Sequence, residues 1–113
     1  MEVKDLLKIE KIRCITPEIP LNKPVANLYA SDLLSWVMGH VREENTVLLT
    51  ILNSVNIIAV AVLLDLAAVI FCDGVEPSED VIAKAKMEKI PLFGTDSSSA
   101  QTVKVIDRYE SLL

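Results

Sequence analysis

Thr46-Val47-Leu48-Leu49-Thr50-Ile51-Leu52-Asn53-Ser54-Val55-Asn56-Ile57-Ile58-Ala59-Val60-Ala61-Val62-Leu63-Leu64-Asp65-Leu66-Ala67-Ala68-Val69-Ile70-Phe71-Cys72 is the stretch that decides the fold. It is nearly all apolar and long enough on paper to cross a bilayer. Asn53, Ser54, Asn56 and Asp65 interrupt it, and each polar group would be costly in hydrocarbon. The interruptions fall where a strand would pass into a helix and the helix back into a strand. The run therefore reads as a strand over Thr46–Leu52, a helix over Ser54–Asp65 and a strand over Ala67–Cys72, not as a membrane span. Val47-Leu48-Leu49 and Ala68-Val69-Ile70-Phe71 are apolar on both faces, which fits parallel strands covered by helices on both sides.

The same rhythm continues outward. Asp73-Gly74 turns the chain, and Pro77-Ser78-Glu79-Asp80 supplies an N-cap and two first-turn acids for a helix to about Lys89. Ile90–Phe93 is a short strand ending at Gly94. Asp96 through Ser99 open a last helix with Val103, Ile106 and Tyr109 on one face. Upstream, Val25–Tyr29 is a strand, and Ser31 or Asp32 caps a helix through about His40. Thr16 to Pro24 holds three prolines and reads as a connecting loop. A brief strand at Ile12–Ile15 and a short helix at Val3–Ile9 precede it. The expected fold is α/β: a three-layer α/β/α domain over residues 1–113 with roughly four parallel strands. Residues 1–24 form its N-terminal helix and proline-containing loop.

Composition narrows the function. With 51% hydrophobic and only 4% aromatic residues, the core is aliphatic. A mean hydropathy of +0.41 is high for 113 residues, so part of the surface is expected to be covered by another chain. The net charge of −5 argues against nucleic acid as a partner, since that binding draws on phosphate neutralisation. Lys4, Lys8, Lys11 and Arg13 are interleaved with Glu2, Asp5 and Glu10 and read as a solvated face. Cys14 and Cys72, without C-x-x-C spacing, read as reduced thiols in a cytoplasmic protein. Met1 leads straight into charged residues, so no secretory signal is read there.

Catalytic patterns are absent from the sequence. Gly39, Gly74 and Gly94 lie far apart, and none belongs to a P-loop or a dinucleotide-binding turn. The single histidine, His40, falls near a helix C-terminus and reads as a surface or capping residue. No metal-ligand spacing occurs. An enzyme, a cofactor and a metal are therefore not expected. Two readings stand for the polar residues at the strand ends: turn and N-cap residues, or a small-ligand or nucleotide cleft. The cleft would be built from Asn53, Ser54 and Asn56 with Thr95, Ser97 and Ser98. The helix at Ser54–Asp65 is apolar all round, so it is either internal or half-covered by a second copy. Val60, Leu63 and Leu64 are its candidate interface residues. Trp36 falls off the apolar face of its own helix, so it belongs either to an interface or beneath the proline loop.

The run Tyr29-Ala30-Ser31-Asp32-Leu33-Leu34-Ser35, then Val37-Met38, resembles the opening of DRTGG domains. So do Asn56-Ile57-Ile58-Ala59-Val60-Ala61-Val62-Leu63, the Asp73-Gly74-Val75-Glu76-Pro77 turn, and Lys84-Ala85-Lys86 leading to Ile90-Pro91-Leu92. Val3-Lys4-Asp5-Leu6-Leu7 is similar to the start of the HPr kinase/phosphorylase N-terminal domain, a relative of that family. Asn27-Leu28 stands in place of the family's glycine pair, and Ser54-Val55-Asn56 in place of its His-Gln-Asn. The resemblance implies an HPr kinase N-terminal domain-like fold and a regulatory or dimerising role, as in domains that accompany CBS domains in regulated pyrophosphatases. The expected function is a non-catalytic regulatory or assembly module acting as a homodimer or with another protein. The alternative is a sensor of a nucleotide or other phosphorylated metabolite at the strand ends.

Overall fold

The computed structural model describes all 113 residues. Strands β1 (Arg13–Cys14), β2 (Asn27–Ala30), β3 (Thr46–Thr50), β4 (Ala68–Phe71) and β5 (Leu92–Gly94) form one sheet in the order β1-β5-β4-β3-β2. β2 to β5 are parallel, as expected, while β1 pairs antiparallel with β5 and closes that edge. Helices α1 (Leu34–His40), α2 (Asn56–Leu63) and α3 (Glu79–Glu88) connect the parallel strands in turn, and α4 (Ser99–Ser111) follows β5. The N-terminal Val3–Lys8 is a 3-10 helix, and Asp5 closes its first turn by accepting from Glu2 N at 2.8 Å. That bond, with Lys8 at 3.3 Å, holds the Asp5 carboxyl below the usual carboxylate range. No helix is long and apolar enough to cross a membrane.

The topology explains the layers. Each step from β2 to β5 moves one strand in the same direction, and right-handed crossovers then put α1, α2 and α3 on one face. The opposite face is left to the N-terminal 3-10 helix and α4. Side chains follow this division because strand residues alternate between faces. Leu48, Val69, Phe71 and Leu92 pack with Val37, Ile57, Ile58 and Val81 on the first face. Val47, Leu49, Ile70 and Phe93 pack with Val3, Leu6 and Ile106 on the second. Every residue of β3, β4 and β5 is buried, so the sheet has no wet face.

One expectation about local chemistry is corrected. Neither Ser31 nor Asp32 caps α1, whose N-cap is Leu33. Ser31 Oγ accepts from Leu33 N at 3.2 Å, whereas Asp32 turns away to the end of β3. There its Oδ1 accepts from Thr50 Oγ1 and from Ile51 N, both at 2.8 Å. Because Thr50 is fully buried, Asp32→Ala removes the acceptor of a donor that has little water to turn to. The expected loss is about 1–3 kcal/mol, read as a fall in Tm of roughly 4–12 °C by circular dichroism. Asp32→Asn keeps the acceptor oxygen and is expected to retain most of the stability.

Candidate functional site

In open parallel sheets, ligands settle where two neighbouring strands send their loops to opposite faces. Here that place lies between β4, which leads to α3, and β5, which leads to α4 on the other face. The gap is stitched shut. Asp73 N donates to Ser97 O at 2.9 Å, Gly74 N to Thr95 O at 3.0 Å, and Thr95 N to Phe71 O at 2.9 Å. Asp73 and Gly74 both adopt positive φ, 55° and 73°, so the turn can present two successive amides to the β5–α4 loop.

The sequence candidates all lie at this edge, but they do not converge on one cavity. Asn53 spans the outlet of β3 and the entry of α3: its Nδ2 donates to Glu76 O at 3.3 Å, and its Oδ1 accepts from Ser78 N at 2.9 Å. Ser54 Oγ accepts from Asn56 N at 3.2 Å, a local turn bond, and the Asn56 side chain stays exposed. Thr95 is buried and its Oγ1 accepts from Ser97 N at 3.2 Å. Ser98 is the N-cap of α4, accepting from Gln101 N at 3.1 Å, while Thr102 Oγ1 donates to its carbonyl. Four of the six side chains, those of Asn53, Ser54, Thr95 and Ser98, are therefore engaged in a turn, cap or loop clamp, while Ser97 takes part through its backbone alone. The β4 tip separates the Asn53 group from the Thr95 group.

One residue at this edge is exposed, as a solvated face requires, yet has partners that the sequence does not show. Arg13, on β1, lies over β5 and reaches Glu76 at 2.5 Å and Asp96 at 3.7 Å. Gly94 makes room for it, since a Cβ there would stand 3.1 Å from both Cζ and Nη2 of the guanidinium. A shallow polar cleft runs beside it, lined by Lys11, Ile12, Arg13, Asp96 and Ser97. Arg13 is remote in sequence from both of its partners and sits in a charge-mixed run, so no local pattern could have singled it out.

Cys72, at the end of β4, is no nucleophile. It is fully buried, and burial pushes its thiol up, offset only in part by the hydroxyls of Ser99 and Thr102. It therefore stays protonated at neutral pH. Iodoacetamide is expected to leave Cys72 unmodified in the folded protein and to alkylate it after unfolding, as read by peptide mass spectrometry. No group of His, Cys, Asp and Glu side chains is placed to hold a metal ion.

The interface candidates divide. Val60 is 6% exposed and belongs to the core beneath α2, so its reading as an interface residue is corrected. Leu64 is half-buried against that same core. Leu63 is 66% exposed and joins Val55, Ala59 and Val62 in a stripe along the outer side of α2. Their spacing, i, i+4, i+7 and i+8, is that of one helix face. Ala83, Lys84 and Met87 of α3 flank this stripe and form an open groove with it. Trp36 is not beneath the proline loop. It is half-exposed on α1, outside that groove, stacked on His40 with ring centroids 3.8 Å apart, and its carbonyl pairs with His40 Nδ1 at 2.8 Å.

The DRTGG domain family model matches residues 29–109 of the chain. No curated protein matches at a significant level. The chain is similar to the crystal structure of the CBS and DRTGG domains of the regulatory region of Clostridium perfringens pyrophosphatase, complexed with its activator, diadenosine tetraphosphate. The TM-score is 0.67 at 17% identity, over 92% of this chain and 45% of that one. The chain thus spans less than half the length of that solved structure, and the likeness is one of fold.

Proposed function

The chain belongs to the DRTGG domain family, and on that premise we propose that it is a non-catalytic regulatory or assembly module, residues 1–113 forming one unit that works as a homodimer in the cytoplasm. The observation that carries this reading is the outer face of α2. Val55 is 47% exposed, Val62 45%, Leu63 66% and the neighbouring Met87 of α3 72%, all on one side of the molecule. Scattered single apolar residues need no explanation, whereas a contiguous stripe along a helix indicates a partner surface. An isologous pair covers such a stripe with a copy of itself. Support for the absence of catalysis comes from the strand tips, where most polar side chains already serve as clamps or caps. Sedimentation equilibrium tests the pairing: a dimer is expected at micromolar concentration, and a monomer up to about 100 µM rejects it.

A second reading, a nucleotide sensor, is favoured by the cleft that brings Lys11, Arg13 and Ser97 together near the N-terminus of α4. The pyrophosphatase region of similar fold is itself complexed with diadenosine tetraphosphate. Against it stand Asp96 in the same cleft and Glu76 on the Arg13 guanidinium. Diadenosine tetraphosphate at a hundred times its Kd would add about 2.7 kcal/mol of stability. A thermal melt unmoved by saturating nucleotide removes this reading and leaves the homodimer untouched.

A further inference from the structure

We propose that the cavity at the N-terminal edge of the sheet, opposite the strand tips, binds a small carboxylate with a compact apolar body. The cavity measures about 240 Å³. Val3, Ile19, Leu21 and Ala67 give it apolar walls, and all but Leu21 are buried. Its rim is tied down. Val3 N donates to Lys23 O at 2.9 Å, Lys4 N to Leu21 O at 3.1 Å, and Val25 N to Met1 O at 2.9 Å. The proline-containing loop is thereby strapped to the N-terminal 3-10 helix, and the cavity exists before any ligand arrives, which lowers the ordering cost of binding.

Charge selects the ligand. In a chain of net charge −5, the only ionisable side chains lining this cavity are two lysines, Lys23 and Lys89. Lys23 is held by Asp65 at 2.5 Å and lies 3.5 Å from Leu66 O, so its ammonium is fixed and much of its charge is answered. Lys89 makes no ion pair. The acids nearest in sequence or on the adjoining loop are engaged elsewhere: Glu88 with Lys84 at 3.7 Å, and Glu18 with Lys86 at 3.4 Å. The mouth is therefore net positive over an apolar floor, and Lys89 is the group an entering anion would meet unpaired.

Volume sets the size. Pockets for drug-sized ligands run about 300–1,000 Å³, and this one takes an occupant on the order of ten non-hydrogen atoms. A nucleotide does not fit, so the site is distinct from any at the strand tips. With so few atoms, the expected Kd is on the order of a millimolar.

Phenylacetate is the probe, with phenethylammonium as its cationic counterpart, in proton–nitrogen correlation spectra of the full chain. Phenylacetate is expected to give saturable shifts confined to the amides of Ile19, Leu21–Lys23, Ala67–Ala68 and Lys89–Leu92, and the cation none. Lys89→Glu, on an exposed side chain, is expected to leave the rest of the spectrum in place and weaken phenylacetate at least about tenfold. Non-saturable shifts, shifts centred on the α2–α3 groove or the strand tips, equal response to the cation, or an unchanged affinity in Lys89→Glu each overturn the proposal. None of these outcomes depends on the oligomeric state.

Discussion

Phe71→Ala is expected to remove about 3–5 kcal/mol of folding stability, a large share of the roughly 5–15 kcal/mol that holds a domain of this size together. Phe71 is fully buried at the end of β4, in register with Thr50 of β3 and Gly94 of β5, and it faces the layer formed by α1, α2 and α3. Truncation leaves a void between the sheet and a helical layer whose members are themselves fixed by the strands they connect, so collapse is limited and the cavity cost is felt. Phe93, one strand over and fully buried, points to the opposite layer, and Phe93→Ala is expected to cost a similar amount. Urea unfolding should show both variants shifted in midpoint with an unchanged slope and one transition, because the two cores share every central strand. A loss below about 2 kcal/mol, or a second transition in either variant, would mean that one layer repacks or melts without the other.

The strands were the most legible part of the molecule. Thr46–Leu52 and Ala67–Cys72 announced themselves because burial on both faces demands unbroken apolar runs, and β3 and β4 fall inside those bounds. The antiparallel pairing of β1 was not legible. A two-residue strand carries no periodicity, and its direction is decided by the loop of residues 16–24 that carries the chain from one edge of the sheet to the other. The length of α1 was overestimated for a related reason. Asp32 looks like an N-cap by residue type, but the end of β3 offered it two donors and the helix began later.

The candidate site divided along the same line between local and non-local chemistry. Ser78 and Ser98 cap α3 and α4 as their sequence contexts indicate, since capping is decided within three residues. Asn53 engages the backbone of a residue twenty-three positions later, and Arg13 a carboxylate sixty-three residues away. Neither pairing has a sequence signature. The apolar surplus of α2 was visible at once, but which of its residues face outward depends on the rotation of the helix about its axis. Val60 and Leu63 are three apart and both aliphatic. Only the packing of Ile57, Ile58 and Ala61 against the sheet sends Val60 inward and leaves Leu63 in solvent.

That rotation makes Leu63→Asp the decisive substitution for the proposed homodimer. The side chains of Val55, Val62, Leu63 and Met87 expose on the order of 400 Å² per protomer, about half of one partner's share in a standard interface, so the stripe forms the apolar centre of the contact and neighbouring residues complete it. An isologous interface carries every substitution twice. Each Leu63→Asp forfeits roughly 1.5 kcal/mol or more of apolar burial and adds a carboxylate that must be desolvated, so association is expected to weaken by at least about 3 kcal/mol, more than a hundredfold. The monomer should scarcely notice, because Leu63 is 66% exposed and its loss uncovers no core. Leu64→Asp supplies the contrast: its side chain packs against the buried cluster beneath α2, and a carboxylate there is expected to unfold the chain and not merely divide it. Sedimentation and thermal melts on the two variants separate these effects. If Leu63→Asp sediments as a dimer of unaltered affinity, the outer face of α2 is not where two copies meet.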